Sequence, residues 1–426
     1  MIVTVFPSEM IKIVGEADTF TVHCPLSTFH YNTFALSVNN NSSKQEGTRV
    51  MIYLDNSATT KPCMEAVEAM NKAMTENWAN PSALYNFGID CARDVRAARH
   101  AVASAMGAET DRVFFTSGGT EADNWAIFGT IKRMGKRGKH IITTAIEHHA
   151  VLNCMKELEN QGYEVTYLQP DELGNITLAD LKAALRKDTI LVSIMMVNNE
   201  VGSVMPIEKM AKLTHKLCPD AVFHTDAVQG FLKVPFMAKT LGADLISVSS
   251  HKIHGPKGAG ALYIAPRFKS FPALLIGGGQ ESGFRSGTEA TPAIFGFAAA
   301  ASAGVATFRA DILREKALIA GLVERLSGVE GVVINGAHDA PHVLNLSIPG
   351  VPTQNSINIL QDAGIYVSAG SACAKGHRSH TLEAMKRSPE VMDGSFRVSI
   401  CKDTTQEQLD QLVDVIENQI VARFVK

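Results

Sequence analysis

Six short runs, each rich in apolar residues and separated by stretches with helical spacing, constrain this chain more than any other feature. They lie at residues 112–116, 139–143, 165–168, 190–197, 221–224 and 245–248. A strand with one wet face alternates apolar and polar side chains, so strands that do not alternate are covered on both faces. Helical segments, for example 150–161 and 207–217, lie between most of them. This order predicts a mainly parallel sheet with helices on both sides. Ahead of the sheet, Met64, Val67, Met70 and Met74 fall near helical spacing after Pro62. Cys91, Val95, Ala98 and Val102 repeat that spacing until Gly107 stops it.

The pattern changes near residue 310. A long helix at 312–326 leads into short apolar runs at 332–334 and 342–347, a helix at 354–363 and a run at 396–400, which together read as a smaller α+β unit. The expected organisation is a large unit at 51–310 and a smaller one at 311–426, with 51–64 a candidate to pack on the smaller unit. Residues 1–50 lack helical periodicity and carry the polar stretch Asn39-Asn-Asn-Ser-Ser-Lys-Gln-Glu-Gly47. They form an N-terminal extension expected to be disordered or to precede a natural start at Met51. No basic region leads a compact apolar core as in a signal peptide, and arginine is too scarce for a transit peptide.

A net charge of -3 gives no reason to expect a polyanion partner, so direct nucleic-acid binding is not expected. The Ala- and Gly-rich stretch 292–308 falls short of the ~20 strongly apolar residues of a span and reads as a packed helix, with no membrane partner. Seven cysteines without paired spacing fit reduced thiols and a cytoplasmic enzyme.

Ligands of open parallel sheets bind at the carboxyl ends of the strands. There the run at 245–248 leads to Lys252, an amine at the tip of a buried strand and therefore poorly hydrated, as a Schiff-base lysine must be. The bland alternative is a lysine leading a surface turn. After Phe114-Phe115 comes Thr116-Ser-Gly-Gly119-Thr120, where glycines admit an anion to backbone amides at a helix N-terminus; without a ligand it is an ordinary capping turn. The run at 190–197 ends in Asn198-Asn199-Glu200. The run at 221–224 ends in Asp226 and Gln229. A carboxylate there needs a partner, and a protonated heteroaromatic nitrogen is one; capping the next helix is the other reading. His148 follows a further strand, placed to lie flat on an aromatic ring or to be a plain surface histidine. Jointly these groups meet the needs of pyridoxal phosphate.

The chain resembles the cysteine desulfurase family, whose pyridoxal-phosphate fold is shared with the class V aminotransferases. The residues that carry the resemblance are Tyr53-Leu-Asp-Asn-Ser-Ala-Thr-Thr60, Thr116-Ser-Gly-Gly-Thr-Glu121, Glu147-His148, Asn198-Asn-Glu-Val-Gly202, His224-Thr-Asp-Ala-Val-Gln229, Ser249-Ser-His-Lys252, Gly255-Pro-Lys-Gly258, Gly279-Gln-Glu281 and Arg285-Ser-Gly-Thr288. They run in the family's order from Met51 almost to the C-terminus. The resemblance implies fold type I: a large unit with a mainly parallel seven-stranded sheet and a smaller α+β unit. It implies that Lys252 carries the cofactor, Asp226 faces the pyridinium nitrogen, and Gln229 and Asn199 bond the ring oxygen or the substrate. His148 would stack on the ring and carry protons. Gly119, Thr120, Ser249 and His251 would hold the phosphate, joined by Thr288 of a second subunit, which makes the active unit a homodimer. Arg397 would bind the carboxylate of L-cysteine.

Cys373, in the small-residue run Ser368-Ala-Gly-Ser-Ala-Cys373-Ala-Lys-Gly376, resembles the thiol of the desulfurase loop, in its long-loop form. Lys375, His377 and Arg378 favour the thiolate. A metal site from Cys373, His377 and His380 lacks a fourth ligand, so no metal is expected. The implied reaction converts L-cysteine to L-alanine and leaves a persulfide on Cys373, bound for an iron-sulfur scaffold or a tRNA-thiolation protein. A selenocysteine lyase or another class V aminotransferase is the alternative. The chain ends soon after Arg397, shorter than members whose tail docks a scaffold, so delivery to a scaffold is left open.

Overall fold

A computed structural model describes residues 51–370 and 378–425, together with four short strands nearer the N-terminus. The chain divides into two compact units, residues 1–49 and 50–426. In the first, Val3–Thr4 pairs antiparallel with Met10–Ile11, and Val22–Cys24 pairs antiparallel with Ser27–Phe29.

The second unit is built on a seven-stranded sheet. From edge to edge its strands are Val113–Thr116, Gly260–Ile264, Leu245–Ser249, Val222–Asp226, Thr189–Ser193, His140–Thr144 and Glu164–Leu168. All pairs are parallel except the two made by Gly260–Ile264. The apolar bias of these strands has a direct cause. Phe115, Ile142, Val192, Phe223 and Ile246 enter one buried cluster, whereas their neighbours Phe114, Ile141, Leu191, Val222 and Leu245 enter another. Successive side chains point to opposite faces, and both faces are dry.

The sequence reading misses the antiparallel strand Gly260–Ile264, whose glycine-rich approach resembles a loop. It also overextends the run at 190–197. The ladder ends at Ser193, and residues 194–197 stay buried but turn to present Asn198 and Asn199. The expected break near residue 310 is absent too. One helix, Thr291–Ser327, runs straight through it, because no proline interrupts its interior and Gly304 is tolerated there. By length and composition this helix could cross a membrane. Here Ile294, Phe297 and Ala301 pack on the sheet core, while Leu318, Leu322 and Leu326 enter a different cluster.

That cluster surrounds the sheet Val333–Asn335, Val343–Ser347 and Ser395–Ser399, which is antiparallel throughout. Ile52 and Leu54 belong to it as well. Ile52–Tyr53 pairs in parallel with Ile365–Tyr366, and Asp55 bridges to Ser399. The start of this unit is therefore stitched to its C-terminal part before the chain crosses to the large sheet.

Candidate active site

The carboxyl ends of the large sheet open on a cavity of about 280 Å³. Its walls come from the ends of several different strands. The helix Gly119–Met134 starts at one side, so Gly119 and Thr120 line the cavity with the helix's unpaired amide end. Ser249 ends its strand opposite, and Gly119 packs so closely there that a Cβ would lie 2.7 Å from Val228 Cγ2. Lys252 is not at the strand tip itself. The strand ends at Ser249, and Lys252 closes the short 3-10 turn Ser250–Lys252. Its Nζ donates to the carbonyls of Ser57 at 2.6 Å and Ala58 at 2.7 Å. His251, in the same turn, lies 3.2 Å through Nδ1 from Thr59 Oγ1.

Asp226 ends the strand Val222–Asp226 and is 6% exposed. Its Oδ1 accepts from the Val228 amide at 2.8 Å, so it caps the following turn and faces the cavity as well. Burial, reinforced by the nearby carboxylate of Asp123, pushes its pKa up to about 7. Asp123 is pushed up to about 7 by burial too. The histidine beside it does not neutralise it. His224 Nε2 lies 3.5 Å from Asp123 Oδ1, but burial lowers the imidazole to about 4, so this is a contact with a neutral ring rather than an ion pair. Behind them, Glu147 is fully buried and also raised by burial, with Oε1 accepting from the Met195 amide and the Thr144 hydroxyl. A site so rich in buried carboxylate favours a cationic ring nitrogen at Asp226.

His148 caps the helix His149–Asn160, its Nδ1 accepting from the Ala150 amide at 3.2 Å. The proton of the neutral ring is thereby fixed on Nε2. Burial, and then the charge of Lys252, lower it to about 4. Gln229 donates to the Ser57 carbonyl at 2.9 Å and pairs through Oε1 with His342 Nε2 at 3.2 Å, leaving one amide hydrogen for a ligand. Arg397 is 2% exposed. It donates to the Asn199 carbonyl and to Asp55 Oδ1, both at 2.7 Å, while its buried Nε has no hydrogen-bond partner.

Lys252, His148, Gly119, Thr120, Asn199, Asp226, Gln229, Ser249, His251 and Arg397 thus all line one cavity. Thr288 is exposed and does not line it. Cys373 lies outside the described residues, as do Lys375 and His377. Sequence reasoning missed Asp55, Ser57, Ala58, Asp123 and His342. Asp55 and Ser57 stand in a quoted motif, but no local pattern says that a backbone carbonyl will hold a lysine amine.

The residues fit pyridoxal phosphate on physical grounds: an amine, a buried carboxylate short of a cation, and an amide-rich helix end surround one space of suitable size. The Aminotransferase class-V family profile matches residues 52–412. The cysteine desulfurase IscS of Methanosarcina thermophila is 41% identical over 370 residues, 86% of this chain and 91% of that protein. A solved NifS-like protein aligns at 36% identity with a TM-score of 0.81, covering 86% of this chain and 98% of that one. A solved SspA in complex with cysteine aligns at 32% identity with a TM-score of 0.70, covering 83% of this chain and all (100%) of that one. The chain belongs to the class-V aminotransferase family. Within that family it is one of the cysteine desulfurases, and its cofactor is pyridoxal phosphate.

The raised Asp226 gives a pH test on the cofactor-free protein. A carboxyl that titrates near 7 in the fold, against about 3.9 in the unfolded chain, holds more protons folded than unfolded between those values. Stability therefore falls as pH rises through that window. In urea unfolding of apoprotein, Asp226→Asn should gain on the wild type by a few kcal/mol between about pH 4 and pH 7. An unchanged difference would show that Asp226 ionises freely.

Proposed function

We propose that this protein takes the sulfur of L-cysteine onto Cys373 as a persulfide and releases L-alanine. The observation that carries the proposal is the meeting of Lys252, Asp226 and the under-bonded Arg397 around one cavity. The guanidinium of Arg397 is fixed on one side by Asp55 and the Asn199 carbonyl, so its remaining N–H groups would receive the substrate carboxylate. Lys252 would move the proton at the substrate Cα, held over the site by the Ser57 and Ala58 carbonyls. Pyridoxal phosphate, when bound, supplies the electron sink for the charge left at that carbon. Asp226 would keep the ring nitrogen protonated, and the Nε2 proton of neutral His148 would be available to the substrate or to the loop thiol. The Cys373 thiolate would attack the substrate sulfur. One S–S bond forms as the Cβ–S bond breaks, the electron pair stays with the three-carbon fragment, and a proton completes alanine. No external oxidant or reductant enters that step. The persulfide then passes to a thiol acceptor.

The purified holoprotein, given L-cysteine and a thiol reductant, should form sulfide and alanine in equal amounts. Cofactor-loaded protein that forms neither would refute the proposal. Arg397→Lys keeps the charge beside Asp55 but loses the planar fork, and should lower kcat/KM about 100-fold, mostly through KM. A change confined to kcat would remove Arg397 from substrate binding.

We extend the proposal to a homodimer in which Thr288 completes the partner's phosphate site. Thr288 is exposed, and apolar side chains lie open on nearby segments: Leu84 is 93% exposed and Ile276 89%. Residues 81–82 and 278–282 line one surface hollow, which places the two segments side by side. Light scattering should give twice the chain mass. A cytoplasmic location agrees with the five free cysteines among the described residues. An iron-sulfur scaffold or a tRNA-thiolation protein is the proposed acceptor, and persulfide transfer to each purified acceptor would distinguish them.

A further inference from the structure

Away from the cavity, His254, Cys401 and Asp403 bring one imidazole nitrogen, one sulfur and one carboxylate oxygen within 4.8 Å of one another. They come from distant parts of the chain: His254 follows Lys252 by two residues, and Cys401 follows the strand Ser395–Ser399 that carries Arg397.

The imidazole is prepared as a ligand. His254 adopts φ 65°, a left-handed conformation that costs a residue with a Cβ on the order of 1 kcal/mol. Hydrogen bonds hold it there: its amide donates to Thr60 Oγ1 at 2.7 Å, and its carbonyl accepts from the Cys63 amide at 2.8 Å. Nδ1 lies 2.9 Å from the Lys61 carbonyl, which can only accept. Nδ1 therefore carries the proton and Nε2 the lone pair. That Nε2 is buried and has no hydrogen-bond partner, in a residue 8% exposed. Burial lowers the ring to about 4, so it stays neutral. A backbone carbonyl that fixes one nitrogen so that the other can bind is the usual outer support of a metal-bound histidine.

Cys401 is 7% exposed. Burial raises its thiol; a hydrogen bond from the Asp403 backbone, and then the charge of Lys233, act in the opposite sense without overcoming it. Asp403 is exposed and leaves one side open to water or another ligand. Zinc takes nitrogen at about 2.0 Å and thiolate sulfur at about 2.3 Å, which sets ligand atoms roughly 3.5 Å apart. Binding would therefore draw the three atoms, which lie within 4.8 Å of one another, closer together.

We propose that His254 Nε2, the Cys401 thiolate and the Asp403 carboxylate bind one zinc ion, with a water completing the tetrahedron. Binding displaces the Cys401 proton to solvent. Thiolate and carboxylate match the ion's two charges, which they must hold against the positive charges of Lys233 and Lys402 nearby. The ion ties the turn that carries Lys252 to the chain that follows Arg397, so it braces the active site from outside. The spacing in sequence hid this site, since its ligands share no short motif.

The test uses holoprotein carrying Cys373→Ser, so that the loop thiol cannot bind metal. After chelator treatment and zinc titration, this protein should retain about one zinc per chain by elemental analysis. Its melting temperature should rise with zinc. Cobalt in place of zinc should give a thiolate-to-metal charge-transfer band. Adding Cys401→Ser should remove that band and cut zinc affinity by at least about 10-fold, and Asp403→Asn should weaken affinity by a similar factor. Asp403 is exposed, so Asp403→Asn decides the matter if Cys401→Ser fails to fold. Zinc affinity within twofold of the parent in the folded variants, or no zinc retained by the parent, overturns the site.

Discussion

Lys252→Ala is expected to lower alanine formation about 10⁴-fold. On the proposed reading Lys252 both holds the cofactor and moves the proton, so the substitution removes both functions at once. Its removal frees the carbonyls of Ser57 and Ala58 at the wall of the cavity, where water replaces the amine. Circular dichroism and melting temperature should therefore change little. The readout that isolates Lys252 is exchange of the Cα proton of L-alanine with deuterated solvent, which needs no sulfur chemistry. Exchange near the wild-type rate in Lys252→Ala would assign that proton to another group.

Cys373→Ser should separate the two halves of the reaction. Sulfide and alanine formation from L-cysteine should fall below detection, since a serine hydroxyl cannot accept sulfur as a persulfide. Cofactor content and Cα-proton exchange on L-alanine should persist, because Lys252, Asp226 and Arg397 remain in place. Wild-type sulfide release from the variant would remove Cys373 from the reaction. Loss of exchange as well would show that the thiol also organises the site.

Much of this arrangement can be read from the sequence, and the reasons are local. Strands buried on both faces are rich in apolar residues, so the runs that open Val222–Asp226 and Leu245–Ser249 announce themselves, and the polar residue that ends each one stands out. Gly260–Ile264 escapes because a five-residue apolar run after repeated glycines reads equally as loop. The single helix Thr291–Ser327 reads as two because its partners change midway, from the sheet core around Ile294 to the cluster around Leu318. Within the site, side chains with their own chemistry are legible, Lys252 and Arg397 among them. The Ser57 and Ala58 carbonyls are not, because every residue has a carbonyl and only long-range folding decides which ones meet an amine.

The seam joining residues 52–58 to the last strand has a consequence for synthesis on the ribosome. The Ser57 amide donates to Ser399 Oγ at 2.8 Å, and Asn56 Nδ2 donates to the Ser399 carbonyl at 3.0 Å. The carbonyls that hold Lys252 are thus positioned by a residue made well after the large sheet. All seven strands of the large sheet have been made by residue 264, yet the Lys252 amine gains its supports only once Ser399 has emerged. A nascent chain that carries only the large sheet has not yet assembled the carbonyl cradle of Lys252.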